Sequence, residues 1–184
     1  MPFYLVSAIY FKKMKIIKII LSTIIGLSLV FFTTGLIVNE TVYDVEVSIN
    51  KPVAITFSEF TQIQNSKQWI PDVKSIQVIE ETPNRIGNAY NMLVDNNGEE
   101  FTIVEKIETY DPNTKFVVFF DAENMKKTNS FIFKSNGLTT TINLKASCKS
   151  DSYILNCVFP YFKTVFVQQD QRYLDNFKNY IENK

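Results

Sequence analysis

Glu105 is the side chain whose setting most suggests chemistry. In Phe101-Thr102-Ile103-Val104-Glu105-Lys106-Ile107-Glu108, an extended chain puts Phe101, Ile103, Glu105 and Ile107 on one side, while Thr102, Lys106 and Glu108 dominate the other. A carboxyl group therefore stands among apolar neighbours. Desolvation disfavours its charged form, so it should titrate above the usual carboxylate range and could orient a ligand hydroxyl or pass a proton. The competing reading is a rim position, or a pair with a Lys of a neighbouring strand. Tyr90, Met92 and Val94 share one side of the preceding run, and a buried Tyr90 phenol needs a partner that a ligand can supply. Phe133 of a later run and Tyr173 and Phe177 near the C-terminus complete a candidate ligand-binding set of Glu105, Tyr90, Met92, Phe101, Ile103, Phe133, Tyr173 and Phe177. With 16 Phe and 9 Tyr, ordinary core packing competes with ligand contact for each aromatic member. Trp69 reads as packing at a helix-to-strand corner, with a ligand gate as its other role. No residue is assigned as catalytic.

The composition removes several chemistries. The chain has no His, so Ser-His-Asp and Cys-His nucleophile systems and imidazole zinc sites lose their usual residue. Two thiols, Cys148 and Cys157, are too few for a cysteine-only zinc site; a disulfide between them and two buried free thiols both remain open. The Glu99-Glu100 pair after Gly98 reads as a solvated turn without the surroundings of a calcium loop. No metal and no cofactor is expected. Nor is nucleic acid, because no basic run is present to neutralise phosphates.

The elements that must position these residues follow from periodicity. Thr41 to Ile49 alternates, with Val45, Val47 and Ile49 on one face, as a half-buried strand does. Asn50 can cap a following helix with Pro52 in its first turn and Val53, Phe57 and Phe60 as its apolar stripe; a second short helix ends at Pro71. From Lys74 onward, turn signals recur at ETPNR, DNNG, DPNT, AENMKK and SNG, which divides the chain into strands at about 74–80, 88–95, 99–110, 115–121, 128–135 and 138–148. Tyr161 to Asn183 is helical: Phe162, Phe166, Tyr173, Leu174, Phe177 and Ile181 form its apolar face, and Lys163, Gln168, Asp170, Gln171, Asp175 and Lys178 lie mostly away from it. That face needs the sheet as its partner.

This order resembles the START-like, or SRPBCC, superfamily. Ile49-Asn50-Lys51-Pro52 is similar to the family's entry into its first helix, and Asn65 through Trp69-Ile70-Pro71 to its N-x-x-x-W-x-P segment. Gly87 before Asn88-Ala89-Tyr90, Val104 through Asp111-Pro112, and Ser135-Asn136-Gly137 with the Thr-rich run after it also correspond. The resemblance covers about residues 41–183 and is nearest to the polyketide cyclase/dehydrase-like branch. It implies an α+β helix-grip fold, a seven-stranded curved antiparallel sheet gripping a long C-terminal helix, with a cavity for a hydrophobic small molecule or lipid between them. Family catalysts place Arg, His, Tyr or acidic groups in that cavity. Here His is missing and the two arginines are Arg85, near a turn, and Arg172, on the final helix, which leaves ligand binding ahead of catalysis.

One stretch precedes this domain. Ile19 to Val38 has twenty residues without a charge, and at about 1.5 Å per residue it spans the roughly 30 Å core of a bilayer. A cleaved signal peptide is the alternative, although no A-x-A-like site stands out. Lys12, Lys13, Lys15 and Lys18 precede the stretch, and all 19 acidic residues follow it. The positive-inside rule then gives a cytoplasmic N-terminus, residues 1–18, a transmembrane helix, 19–38, and an extracytoplasmic domain, 41–184, in a single-pass protein of the cell membrane. Met14 begins a stretch, MKIIKII, that looks like a natural start. Three functions are compatible with this sequence: a membrane-anchored binder or carrier of a hydrophobic molecule, a cyclase/dehydrase-type enzyme using Glu105 and a tyrosine, and an interaction module whose cup is filled by its own side chains. Oligomeric state is left open.

Overall fold

Alternation in β1 (Thr41–Ile49) is complete: every second side chain is buried, from Thr41 and Tyr43 to Ile49, and those between face solvent. The computed structural model describes the backbone of residues 3–96 and 98–184 and the side chains of residues 13–95 and 98–184. The start at Met1, the Lys12 charge and the Asn96-Asn97 portion of the DNNG turn lie outside the described side chains.

After β1 come α2 (Val53–Phe60), a 3-10 turn (Ile63–Gln68), and six strands in a meander: β2 (Val73–Glu80), β3 (Ala89–Asn96), β4 (Glu99–Asp111), β5 (Lys115–Ala122), β6 (Met125–Asn136) and β7 (Thr139–Lys149). All pairings are antiparallel and the sheet order is β1-β7-β6-β5-β4-β3-β2, so β1 closes on the last strand of the meander. Gly98 and Gly137 take φ of 93° and 69° at hairpin turns, a region where a Cβ is costly. Helix α4 (Lys163–Glu182) lies on the concave face, burying Leu174, Phe177 and Ile181. Fold class, strand number and the gripped C-terminal helix agree with the expectation.

Three local expectations need correction. Asn50 does not cap α2; Pro52 occupies the N-cap and the Asn50 N–H donates to Glu182 Oε1 at 2.7 Å, tying the end of β1 to the end of α4. AENMKK is not all turn: Glu123, with φ of 52°, makes the reversal tight, and β6 begins already at Met125. The C-terminal helix does not begin at Tyr161, because α3 (Tyr153–Val158) and a 3-10 turn (Phe159–Phe162) precede α4. Both thiols are free and buried.

The N-terminal helix α1 runs Phe3–Ile37, longer than the uncharged stretch alone. Its portion Lys13–Ile37 is long and apolar enough to cross a membrane and is almost wholly exposed.

Candidate functional site

One end of the space between sheet and α4 is filled. Phe60 packs edge-on against Phe131, Phe133 and Phe177 at centroid distances of 4.7, 5.5 and 4.9 Å, and Phe57 packs against Phe133 at 5.0 Å. The other end is hollow. A cavity of about 310 Å³ opens between α4, the sheet from β3 to β7, and the Trp69 corner; Met92, Val94, Ile103 and Ala122 line it, and Phe60 and Phe131 form its border with the filled end.

The candidates divide between these two ends. Glu105, Met92, Phe101, Ile103 and Tyr173 line the cavity, Phe101 from a half-exposed position near its mouth. Tyr90, Phe133 and Phe177 are buried outside the lining. The Tyr90 hydroxyl finds its partner locally, accepting from Asn88 Nδ2 at 2.8 Å, and Phe133 and Phe177 belong to the filled end.

Register fixes what surrounds Glu105. Direct partners across the sheet run Tyr90, Glu105, Phe120, Lys127, Cys148 and Thr41, one residue from each of β3, β4, β5, β6, β7 and β1. Phe120 therefore separates Glu105 from Lys127 by two strand spacings, on the order of 10 Å. Among the described residues nothing pairs with the carboxyl, and burial alone pushes its pKa up from 4.5 to about 8. At neutral pH Glu105 is mostly the uncharged acid, able both to donate and to accept a hydrogen bond.

Two other polar atoms of the lining have no partner among the described residues: the Trp69 indole Nε1, a donor, and the Asn129 Oδ1, an acceptor. Trp69 does pack at the corner, stacked on Phe60 at 5.1 Å with an angle of 23°. Leaving such buried atoms unpaired costs roughly 1–3 kcal/mol each.

A charged latch closes the cavity on the α4 side. Lys127 Nζ donates to both Asp170 carboxylate oxygens, at 2.6 and 2.8 Å, and the Tyr43 hydroxyl donates to Asp170 Oδ2 at 2.8 Å. Burial and then the Asp170 charge push the Tyr43 pKa far up, so the phenol stays a donor. Burial likewise pushes up the Cys148 thiol, whose Sγ is 4.0 Å from the Tyr43 hydroxyl. Asp170 is buried, contrary to its expected outward position. Asp170, Leu174, Phe177 and Ile181 recur at four- and three-residue spacing, so the acid belongs to the apolar stripe and was legible there. Lys127 could have been found by carrying the inward alternation of Phe133, Phe131 and Asn129 back into AENMKK, and Tyr43 by carrying that of Val45 back one step. On the open side, Tyr173 donates its hydroxyl to Asp72 Oδ2, and both residues line the cavity. Burial, followed by this bond, raises the Tyr173 pKa.

No family model and no curated protein matches the chain. Solved structures do: the Zhui aromatase/cyclase from Streptomyces sp. R1128, at TM-score 0.66 and 11% identity over 78% of this chain and 94% of that one, and a START superfamily protein from Mycobacterium smegmatis, at 0.64 and 10% over 77% and 97%. A protein from Thermus thermophilus, TTHA0849, is similar at 0.64 and 13%, covering 76% and 96%. The fold is START-like. The START-like domain of this chain thus has aromatase/cyclases and START proteins among its structural neighbours, at identities that establish the fold alone. Within it, none of the groups of His, Cys, Asp and Glu among the described residues is arranged to hold a metal ion.

Proposed function

We propose that this protein is a membrane-anchored START-like binder or carrier of an apolar small molecule or lipid carrying a neutral polar end, a hydroxyl or a carbonyl. The observation that carries the reading is the cavity: a hollow of about 310 Å³ with a buried, largely protonated Glu105 in its wall. That volume is about twice the roughly 150 Å³ of an engineered apolar cavity that takes up benzene, so the buried part of the ligand has more than one ring or a medium-length chain. A neutral end suits the wall. A free carboxylate would put a second acid beside Glu105 with no unpaired cation to meet it, since Lys127 is engaged by Asp170. A cup closed by its own side chains, the premise of an interaction module, is at odds with this hollow.

The anchor is Ile19 to Val38, helical through Ile37, with Lys13, Lys15 and Lys18 on the cytoplasmic side and residues 41–184 as the domain outside. Retention rather than cleavage is supported by the fit of α1 to the domain: a Cβ on Gly35 would stand 2.3 Å from Cys157 Sγ, so the two surfaces meet at a glycine.

The test uses the sole tryptophan, Trp69, as reporter in the full chain reconstituted in nanodiscs. Its emission is expected to change saturably, one ligand per chain, with a medium-chain alcohol or ketone, and more weakly with the carboxylate of equal length at pH 7. Partition without saturation, identical for all three, would remove the reading.

A second reading is favoured by one feature, the raised pKa of Glu105 inside a cavity, which suits a general acid of cyclase or dehydrase type. Tyr173 would be its neighbouring tyrosine. An activity of this kind would be lost in Glu105→Gln and would fall as pH rises through about 8.

A further inference from the structure

The segment Tyr153–Phe162, Tyr-Ile-Leu-Asn-Cys-Val-Phe-Pro-Tyr-Phe, contains no charged residue and is bounded by Asp151 and Lys163. It forms α3 and the 3-10 turn after it. Its inner residues Cys157 and Phe159 are buried, yet Ile154, Tyr161 and Phe162 are 59%, 59% and 50% exposed, and Val165 in the next turn is 54% exposed. Four large, mostly apolar side chains thus stand half or more exposed on one short stretch.

What lies beside them is the last part of α1. The Tyr153 ring stacks on Phe32 at 6.3 Å and 5°, and the Tyr161 ring on Phe31 at 6.3 Å and 16°. The Tyr153 hydroxyl donates to the Phe32 carbonyl, the hydroxyls of Thr34 and Tyr161 are 3.1 Å apart, and Gly35 admits Cys157. These contacts fix the segment at the level of residues 31–35 of a helix whose uncharged run ends at Val38. At about 1.5 Å per residue, that level is roughly 5–10 Å inside the end of the apolar run, the depth at which interfacial helices bury their apolar face.

We infer that Tyr153–Phe162, with Val165, is an interfacial membrane-binding segment, immersed in the leaflet from which α1 emerges. The occupant of this apolar face is lipid, because the face continues the surface of α1 itself; the inference rests on α1 being a retained span. Tyr153 and Tyr161 take the amphipathic position at the headgroup level, and Lys163 follows where it can meet phosphates. The segment also orients the domain. Lys126 pairs with Asp151 at the entry to α3, so the β5–β6 hairpin, whose Ala122 and Met125 line the cavity, is held at the membrane end of the sheet. The opposite hairpin, carrying Leu138, points away.

The test is quenching of added tryptophan by phospholipids brominated on the acyl chains, in vesicles holding the full chain. Ile154→Trp and Phe162→Trp are each read as the difference from the parent, with Leu27→Trp reporting insertion of α1 and Leu138→Trp as an exposed site away from the bilayer. Ile154→Trp and Phe162→Trp should each lose about half or more of the added emission, as Leu27→Trp does, since contact at about 5–10 Å depth reaches the bromines. Leu138→Trp, although 79% of Leu138 is exposed, should lose none. Quenching of Leu27→Trp without Ile154→Trp and Phe162→Trp overturns the interfacial segment and leaves the anchor standing. If Leu27→Trp is unquenched as well, the anchor fails and the segment with it.

Discussion

The two ends of the space under α4 are built from the same sheet and the same helix, yet one is solid and the other hollow. At the solid end, Phe57, Phe60, Phe133 and Phe177 pack edge to face, and Phe60 with Phe131 forms the wall between this end and the cavity. At the hollow end, α4 presents Asp170 and Tyr173, and the strands present Met92, Ile103 and Glu105. There the Lys127–Asp170 pair joins α4 to β6. Polar groups, Glu105, Lys127 and Asp170, thus line the hollow end beside its rings.

Mutations at the two ends should differ accordingly. Phe177→Ala, at the solid end, should destabilise the chain by about 3–5 kcal/mol in chemical unfolding of the reconstituted protein, the usual cost of truncating a fully buried ring. A loss below about 1 kcal/mol would mean that the filled end is not the core described here. Asp170→Ala should cost nearly as much, about 3 kcal/mol, by leaving the partly buried Lys127 without its partner. The pair Lys127→Met with Asp170→Leu should recover most of that loss, while an equally destabilised double variant would show that the latch contributes net stability.

Glu105 gives a smaller effect with a definite sign. Its carboxyl titrates near 4.5 when unfolded and near 8 when folded, so between these values the folded chain holds a proton that the unfolded chain has lost. Stability must therefore fall as pH rises from about 4.5 to about 8 and level off above. The full shift corresponds to about 4–5 kcal/mol, which relaxation and water entry should reduce to about 2 kcal/mol. Glu105→Gln removes this dependence, leaving the variant more stable than the parent at pH 9 and little different at pH 4. Phe101→Ala should do least, within about 1 kcal/mol, because the ring is already 40% exposed at the mouth.

Much of this was readable in the sequence, for definite reasons. Alternation with turn residues gave seven strands, and the Phe101 to Ile107 run placed Glu105 inward, because period-two patterns survive wherever one face is buried. The latch is masked in the sequence. Lys127 sits in a stretch whose polarity imitates a loop, and Asp170 looks like a solvent-facing acid unless its spacing to Leu174 and Phe177 outweighs its charge. Tyr90, Phe133 and Phe177 face inward like the cavity residues, and only the packing distances separate filled from hollow. Sequence gives the face of a strand, not the space in front of it. Tyr153–Phe162 is silent in the sequence for a related reason, since a short uncharged run between a strand and a helix carries no period of its own.

The most direct measurement is native mass spectrometry of the full chain released from nanodiscs, beside an Ile103→Trp variant that fills the hollow. The parent should carry one apolar adduct per chain, with the uncharged mass of an alcohol, ketone or neutral lipid, and Ile103→Trp should lack it while keeping the circular dichroism of the parent. A parent without any adduct, or an identical adduct on both, would contradict a ligand cavity at this end of the sheet.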